Sequence, residues 1–248
     1  MIRIYLGRLG SAKTASTVRE LCKDESNRVT YTNINTKGIK GIKKIKADNL
    51  IKKTVMSEVK KRDGTTEQKV KYEFNIDFWK KQKKPLNIVW DEIHFVANSR
   101  ESQSKLNRVM SRFLSMGRRI TGFDAKGYGH FIFIAQTSRT IDVNIKDLCN
   151  EIRYHIMYWN LKCNNCLIAL WNNSELKETE FCKFCGSWDL ERSNFRVQIF
   201  KFNNFTNYLK WSEGWGKFYF EKYWILDIED YFKFYDTHQI ENIFDNYL

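Results

Sequence analysis

Short apolar runs recur along the chain and predict the strands of an α/β fold. Ile2, Ile4 and Leu6 alternate with other residues and predict a first strand. Further runs predict strands at 29–33, 86–90, 131–135, 152–159 and 195–202. The run Leu86–Trp90 is compact and mainly apolar, which is typical of a strand buried on both faces of a parallel sheet. The pattern therefore predicts a mainly parallel central sheet.

Helical spacing separates several of these runs. Residues 15–22 follow the first strand and can form a helix, and 228–235 can form a short one. Between 104 and 117 the apolar residues fall three or four positions apart, which predicts an amphipathic helix. They are Leu106, Val109, Met110, Phe113, Leu114 and Met116.

Residues 35–85 follow no clean period, and we interpret them as a basic insertion in the core. Arg62–Thr65 has the composition of a hairpin turn, and the alternating run Val70–Ile76 predicts the strand that returns from it. Residues 37–84 contain 16 Lys and Arg against six Asp and Glu, so they carry most of the chain's net charge of +13. Such a segment is either a solvated face or a site for a polyanion, and nucleic acid leads the candidates.

Composition bounds the class of protein. The chain has 248 residues, 42% of them hydrophobic and 15% aromatic, which excludes wholesale disorder and allows one substantial core with a small accessory module. No apolar run approaches the ~20 residues that cross a bilayer, and the N-terminus lacks a signal-peptide pattern. We therefore expect a soluble, cytoplasmic protein without a membrane span.

The first strand leads into a glycine-containing loop, a Lys-Thr pair and the first predicted helix. This layout is typical of a nucleotide phosphate site, because loop N–H groups and a helix N-terminus attract anions. Lys13 would reach the β- and γ-phosphates of ATP, and the Thr14 hydroxyl would bind Mg²⁺. Ala12 stands where the common pattern has glycine, and it suits the loop only at negative φ. The candidate nucleotide-binding residues are Gly7, Arg8, Leu9, Gly10, Ser11, Ala12, Lys13, Thr14 and Ala15.

Polar side chains follow two other predicted strands at their carboxyl ends, where parallel sheets bind ligands. Asp91 and Glu92 follow the strand at 86–90; Asp91 could hold Mg²⁺ through water, and Glu92 could activate the attacking water. Gln136 follows the strand at 131–135 and could contact the γ-phosphate. Exposed acids at an ordinary turn, and a hydrogen-bonding amide at a strand end, are the alternatives.

Two Cys-x2-Cys pairs, separated by 15 residues, predict a zinc ribbon. Cys163, Cys166, Cys182 and Cys185 would complete the four-sulfur shell of a structural Zn²⁺. No ligand position would remain open, so the zinc would not be catalytic. A redox dithiol pair is the alternative. We interpret Cys22 and Cys149 as buried apolar residues.

These motifs divide the chain into three parts. Residues 1–158 form the predicted ATPase core, 159–190 the zinc ribbon, and 191–248 a return strand followed by an aromatic-rich tail. The tail's aromatic side chains either fill the core or a subunit interface, or stack on single-stranded bases.

The motifs, in this order, resemble the zonula occludens toxin-like ATPases of archaea and their viruses. That branch belongs to the FtsK–HerA superfamily, which includes packaging ATPases of double-stranded DNA viruses. The resemblance rests on GRLGSAKT at 7–14, NIVWDEIHFVANSR at 87–100, GRR at 117–119, FIFIAQTSRTID at 131–142, the two cysteine pairs, and YFKFYDT at 231–237.

The resemblance implies a RecA-like P-loop core and a homo-oligomeric ring, expected to be a hexamer, with ATP sites between neighbours and DNA moved through its centre. Lys13 and Thr14 match the Walker A residues, Asp91 and Glu92 match Walker B, and Gln136 matches the glutamine that ends the next strand. Arg119, or Arg118, is the best match for an arginine that reaches a neighbour's site. Capsid or portal proteins would be further partners in the host cell cytoplasm.

The leading hypothesis is an ATP-driven motor that packages a viral double-stranded DNA genome. A plasmid or other DNA-processing ATPase would carry the same motifs. A zinc-ribbon DNA-binding protein with a nucleotide fold that does not hydrolyse ATP is the alternative from a different class.

Overall fold

A computed structural model describes residues 1–26, 28–60, 66–92, 105–125, 127–141, 143–176 and 180–236. The strands are β1 (Ile2–Leu6), β2 (Val29–Thr32), β3 (Ile42–Lys44), β4 (Ile51–Lys60), β5 (Thr66–Phe74), β6 (Leu86–Trp90), β7 (Phe123–Asp124), β8 (Gly127–Tyr128), β9 (Phe131–Ile134), β10 (Glu151–Cys163), β11 (Ala169–Asn173), β12 (Leu190–Phe202) and β13 (Glu221–Ile225). The helices are α1 (Lys13–Cys22), α2 (Ala47–Leu50), α3 (Ile76–Lys80), α4 (Lys105–Ser115), α5 (Gly117–Thr121), α6 (Val143–Leu148) and α7 (Phe205–Ser212). Two 3₁₀ segments span Ser138–Thr140 and Glu229–Phe234.

Nine of the described strands build one large sheet with the order β13-β12-β10-β1-β9-β6-β2-β3, in which β11 also pairs with β10. The pairs β4-β5 and β7-β8 form two separate small sheets. The pairs from β10 to β3 are all parallel, whereas β11, β12 and β13 join antiparallel. Strands β1, β9 and β6 therefore end at the same edge, with β9 in the middle. The prediction of an α/β fold with a mainly parallel central sheet is confirmed.

The continuous apolar strands are buried on both faces. Phe131 and Phe133 of β9 pack into the larger core, while Ile132 and Ile134 face a second cluster that includes Val18 of α1. Phe113 of α4 places its ring 5.4 Å from Trp79 and 5.1 Å from Phe131. This two-sided burial explains why neither β6 nor β9 alternates in sequence.

The basic region contains the expected hairpin, since β4 and β5 pair antiparallel. The predicted turn at 62–65 lies outside the described residues. The same region also supplies β3, which pairs parallel with β2 and extends the main sheet, so residues 35–85 are not wholly outside it. Strand β3 is short, basic and mostly exposed, which is why its sequence shows no apolar run.

Strands β10 and β12 form a 13-residue antiparallel pair that carries the cysteine pairs at its far end. Both strands run across the boundaries expected at 158/159 and 190/191. In the tail, Trp211 and Tyr219 pack on Phe200, with ring centroids 5.0 and 5.2 Å away, so these two fill the core. Trp215 is exposed. Across the described part of the chain, no helix is long and apolar enough to cross a bilayer.

Candidate nucleotide site and cysteine centre

The loop between β1 and α1 depends on a close backbone approach at Gly7. A Cβ built there would lie 2.5 Å from the His155 carbonyl oxygen and 2.5 Å from Ser11 Oγ, and φ is 149°. Only glycine fits, because every other residue would clash with the neighbouring strand. The Ser11 N–H donates to the Arg8 carbonyl at 3.1 Å and closes the turn.

Ala12 adopts a left-handed backbone, with φ 61° and ψ 30°. The sequence-based condition that it remain at negative φ is therefore not met. An alanine in this region is strained by about 1–2 kcal/mol, because Cβ approaches the following carbonyl. The loop keeps the shape that the glycine of the common pattern would give, at some cost in stability.

Lys13 lies folded against its own loop. Its Nζ donates to the Gly7 carbonyl at 2.7 Å, to the Arg8 carbonyl at 2.9 Å and to Ser11 Oγ at 3.3 Å. Burial lowers the pKa of Lys13 to about 8, although the carboxylates of Asp91 and Glu92 oppose that shift. The ammonium group is thus held by neutral carbonyls at the place where phosphate oxygens would compete for it.

Thr14 and Asp91 meet across the edge of the sheet. Thr14 Oγ1 donates to Asp91 Oδ2 at 2.7 Å. Asn33, just after β2, brackets Asp91: its Nδ2 donates to the Asp91 carbonyl at 2.9 Å, and its Oδ1 accepts from the Asp91 N–H at 2.7 Å. Burial raises the pKa of Asp91 to about 6. A hydroxyl and a carboxylate at this distance fit Mg²⁺, which prefers oxygen ligands and retains several waters.

Glu92 and Gln136 form the second polar pair of the site. Gln136 Nε2 donates to Glu92 Oε1 at 3.1 Å, which joins the ends of β9 and β6. Glu92 is buried and has φ 52°. The amide therefore fixes the position of one carboxylate oxygen beside Asp91.

Ionic contacts anchor α1, whose first turn carries Lys13 and Thr14. Glu20 accepts a hydrogen bond from the Tyr5 hydroxyl at 2.7 Å and pairs with buried Arg153, whose Nε also contacts Glu151 at 2.6 Å. Arg19 Nε lies 2.7 Å from Asp227 Oδ1, in the segment after β13. The helix is thereby tied to β1, to β10 and to the C-terminal segment.

Arg8 turns away from the phosphate position. Its guanidinium donates to the Glu175 carbonyl at 2.8 Å and lies 3.3 Å from the Glu175 carboxylate, which also accepts from the Tyr154 hydroxyl at 3.0 Å. The loop is therefore bonded to the segment that follows β11.

A pocket of about 850 Å³ opens over the loop, a size typical of ligand sites. Its polar lining includes Lys13, Thr14, Asp91, Glu92 and Gln136, so the structure brings these predicted residues together. Three further parts of the wall were not predicted from the sequence: residues from 33–37 after β2, Met157 of β10, and the C-terminal residues Phe232, Lys233, Tyr235 and Asp236. The available signal for Asn33 was its position, because it is a polar residue directly after β2. The C-terminal segment has no comparable local signal.

Arg119 lies elsewhere. It is an exposed residue of α5, whose first residue, Gly117, approaches the Phe131 ring at the start of β9, and Lys84 donates to the Arg119 carbonyl. It lines a separate cavity of about 470 Å³ with Lys80, Lys84 and Arg112. Its role in a neighbour's site stays a prediction, and the Arg118 side chain is outside the described residues.

The four predicted metal ligands converge. The sulfur atoms of Cys163, Cys166, Cys182 and Cys185 all lie within 4.8 Å of one another. The Cys163–Cys185 and Cys166–Cys182 separations are 3.5 and 3.6 Å, close to the ~3.8 Å expected between sulfurs of a tetrahedral zinc shell.

The backbone turns of the two cysteine pairs also suit a four-sulfur metal site. The Leu167 N–H donates to the Cys163 carbonyl and the Gly186 N–H to the Cys182 carbonyl, both at 2.8 Å. The set fits structural Zn²⁺. Of the other two cysteines, Cys149 is buried as expected, but Cys22, the last residue of α1, is exposed.

Comparison of the chain with protein-family models and with curated protein sequences finds no match. Among solved structures, the N-terminal domain of zonular occludens toxin from Neisseria meningitidis aligns over 95% of this chain and 98% of its own, with a TM-score of 0.48 and 18% identity. The genome packaging NTPase of Sulfolobus turreted icosahedral virus 2, in complex with ATP-gammaS, aligns over 62% of this chain and 74% of its own, with a TM-score of 0.36 and 8% identity.

Proposed function

We propose that this chain is an ATPase that moves double-stranded DNA, and that its task is the packaging of a viral genome. One observation carries the ATPase part: the phosphate-loop residues Lys13 and Thr14 share a pocket with Asp91, Glu92 and Gln136, which come from two other strands. The packaging task rests on the sequence resemblance described above.

Each residue has a chemical role in this proposal. Lys13 would exchange its loop carbonyls for β- and γ-phosphate oxygens, and Thr14 and Asp91 would hold Mg²⁺, Asp91 through water. When bound, the ion would neutralise charge on the phosphates.

Glu92 would accept a proton from water as the water oxygen bonds to the γ-phosphorus and the bond to the β–γ bridging oxygen breaks, giving ADP and phosphate. Gln136 would hold Glu92 in position and contact the γ-phosphate. The side chains given these roles, Lys13, Thr14, Asp91, Glu92 and Gln136, all line the described pocket.

The basic region would hold the DNA. Lys80, Lys81, Lys83 and Lys84 follow one another after the hairpin, and all four are exposed. Lysine on a flexible stem suits contacts to phosphates of any sequence, which a motor that travels along DNA requires.

The assembly would be a homo-oligomeric ring, a hexamer by the resemblance, with Arg119 or Arg118 reaching a neighbour's nucleotide. Viral capsid or portal proteins would be its partners in the host cytoplasm. Zinc would stabilise the cysteine module without taking part in hydrolysis.

Displacement of a third strand from duplex DNA tests the motor directly. The wild-type chain with ATP and Mg²⁺ should release the third strand, and Lys13→Ala should not. A non-hydrolysable ATP analogue is the matched control, because it allows binding but no turnover. If the protein hydrolyses ATP but does not displace the third strand, it is an ATPase that does not translocate along DNA.

The left-handed Ala12 favours one other candidate, a zinc-ribbon DNA-binding protein that does not turn over ATP. Such a protein would bind DNA without releasing phosphate. A plasmid or DNA-processing ATPase would share the site described here, and a neighbouring capsid gene, as opposed to relaxase or partition genes, would favour packaging.

A further inference from the structure

The nucleotide pocket has a wall that comes from the far end of the described chain. We name residues 232–236 the C-terminal wall; four of its five residues line the pocket. It is bonded to the segment after β2: the Lys37 N–H donates to the Phe234 carbonyl at 2.8 Å, and the Asp236 N–H donates to the Asn35 carbonyl at 3.3 Å. Thr36 and Tyr235 form an antiparallel bridge between them.

The approach to the C-terminal wall is also fixed. Asp227, five residues before it, pairs at 2.7 Å with Arg19 of α1 and at 2.8 Å with Lys23, the residue that follows α1. Because α1 also carries Lys13 and Thr14, the wall and the phosphate loop are held on the same helix. The wall is therefore in place before any nucleotide arrives.

The lining of the pocket divides by chemistry. The polar groups that the proposed hydrolysis uses come from the loop and from the ends of β6 and β9. Other polar side chains, from 33–37 and from the C-terminal wall, also line the pocket. Three large apolar side chains of the lining are different: Met157, Phe232 and Tyr235 each pack against the buried cluster that contains Val197 and Ile199. Charged phosphate groups do not bind to an apolar surface, whereas the planar base of a nucleotide does.

The two rings are suited to a base. Phe232 is half-buried, and its ring lies 6.0 Å from that of Phe195 in the edge-to-face arrangement that aromatic pairs prefer. Burial raises the pKa of Tyr235 to about 12, so its ring carries a neutral hydroxyl at physiological pH. Aromatic faces that line a pocket are the common platform for bases.

We propose that Phe232 and Tyr235, supported by Met157, form the site for the nucleotide's base. This inference rests on the proposed function, since it names the contact that converts a triphosphate site into a nucleotide site. Selectivity for a nucleotide over a bare phosphate chain then comes from the C-terminal wall, some 220 residues from the loop in sequence.

The test compares two probes, ATP and inorganic tripolyphosphate, which share the phosphate chain and differ by the nucleoside. Dissociation constants are measured by calorimetry with the full chain and Mg²⁺. The wild type should bind ATP more tightly. Phe232→Ala and Tyr235→Ala should each weaken ATP binding about tenfold, typical of losing one stacked ring, and leave tripolyphosphate binding unchanged. Trp215→Ala, at an exposed tail residue, is the matched control and should change neither constant.

Phe232→Leu keeps the apolar volume and removes the ring, so it covers the case in which the alanine variant does not fold. It should weaken ATP binding selectively. A parallel loss of ATP and tripolyphosphate binding, or no loss of either, would overturn the assignment of the base site. Equal wild-type affinity for both probes would also overturn it while leaving the phosphate loop intact. A wild type that binds neither probe would instead refute the proposed function, and the inference with it.

Discussion

Thr14 Oγ1 lies 2.7 Å from Asp91 Oδ2, although 77 positions separate the two residues in sequence. The contact exists because β1 and β6 are parallel strands that end at the same edge of the sheet. It joins the residue after the phosphate-loop lysine to the first acid after a buried strand, which is the pairing that Mg²⁺ would need. The same edge places Gln136 beside Glu92, since β9 lies between β1 and β6.

Replacing Ala12 by glycine should stabilise the protein. The change relieves about 1–2 kcal/mol of strain in the left-handed backbone of the folded protein. Glycine also makes the unfolded chain more flexible, which destabilises the fold by about 0.5–1 kcal/mol. The free energy of unfolding should therefore rise by about 0.5–1 kcal/mol. Thermal denaturation measures it, and ATP affinity should stay the same or rise. Ala15→Gly, in the helical backbone of α1, is the matched control and should destabilise by about 1 kcal/mol. Equal destabilisation by both variants would refute the account of Ala12.

Affinity for Mg²⁺ and ATP should peak between about pH 6 and pH 8. Asp91, whose pKa burial raises to about 6, must be ionised to bind the ion, so affinity should fall below that pH. Lys13, whose pKa burial lowers to about 8, must be protonated to bind phosphate, so affinity should also fall above pH 8. Calorimetry from pH 5 to pH 9 measures both limbs. Binding at pH 8 should take up protons, because the phosphates raise the pKa of Lys13; net proton release there would contradict this reading.

Metal analysis of reduced protein should give one zinc per chain. Cys163→Ser should lower that content and unfold the cysteine module, since structural zinc contributes ~10 kcal/mol or more in small modules. ATP binding should survive, because β1, β6 and β9, whose ends carry the site residues, lie outside the module. Cys22→Ser, which removes an exposed thiol outside the cluster, should retain the zinc. Less than half an equivalent in the wild type would count against the site.

Duplex DNA affinity should fall steeply with salt, with a log–log slope of about −0.9 for each phosphate neutralised. Changing Lys80, Lys81, Lys83 and Lys84 together to glutamine should flatten that slope by up to about 3–4 and leave basal ATP hydrolysis intact. The control changes four exposed lysines elsewhere, two of them on the cysteine module: Lys162, Lys183, Lys217 and Lys222. If only the control set flattens the slope, the DNA site lies outside the basic region.

Local patterns predicted the parts of the site that short segments encode. The apolar strand before Asp91 and the glycines before Lys13 each carry their signal within a few residues, and the parallel sheet brings their ends together. The cysteine pairs are similar, because sulfur ligands and tight turns recur at fixed spacing.

The remaining features depend on contacts between distant segments. Ala12 adopts a positive φ, which its own side chain disfavours. We attribute this conformation to the closing of the loop between Gly7 and α1. Tyr235 lines the pocket through its bridge to Thr36, and no local pattern marks a partner so remote. Strand β3 is a three-residue strand at the edge of the sheet, and its side chains are mostly exposed. Its sequence therefore contains no apolar run from which it could be predicted.

Phosphate release with and without double-stranded DNA tests the central claim most directly. Wild-type protein should release phosphate from ATP, faster when DNA is present. Lys13→Ala should lower that rate at least about 100-fold, because the negative charge on the phosphates is no longer stabilised by the Lys13 ammonium group. Glu92→Gln should still bind ATP but turn it over about 10²–10⁴-fold more slowly, because the water loses its base. Wild-type release no greater than that of Lys13→Ala, under both conditions, would contradict the account.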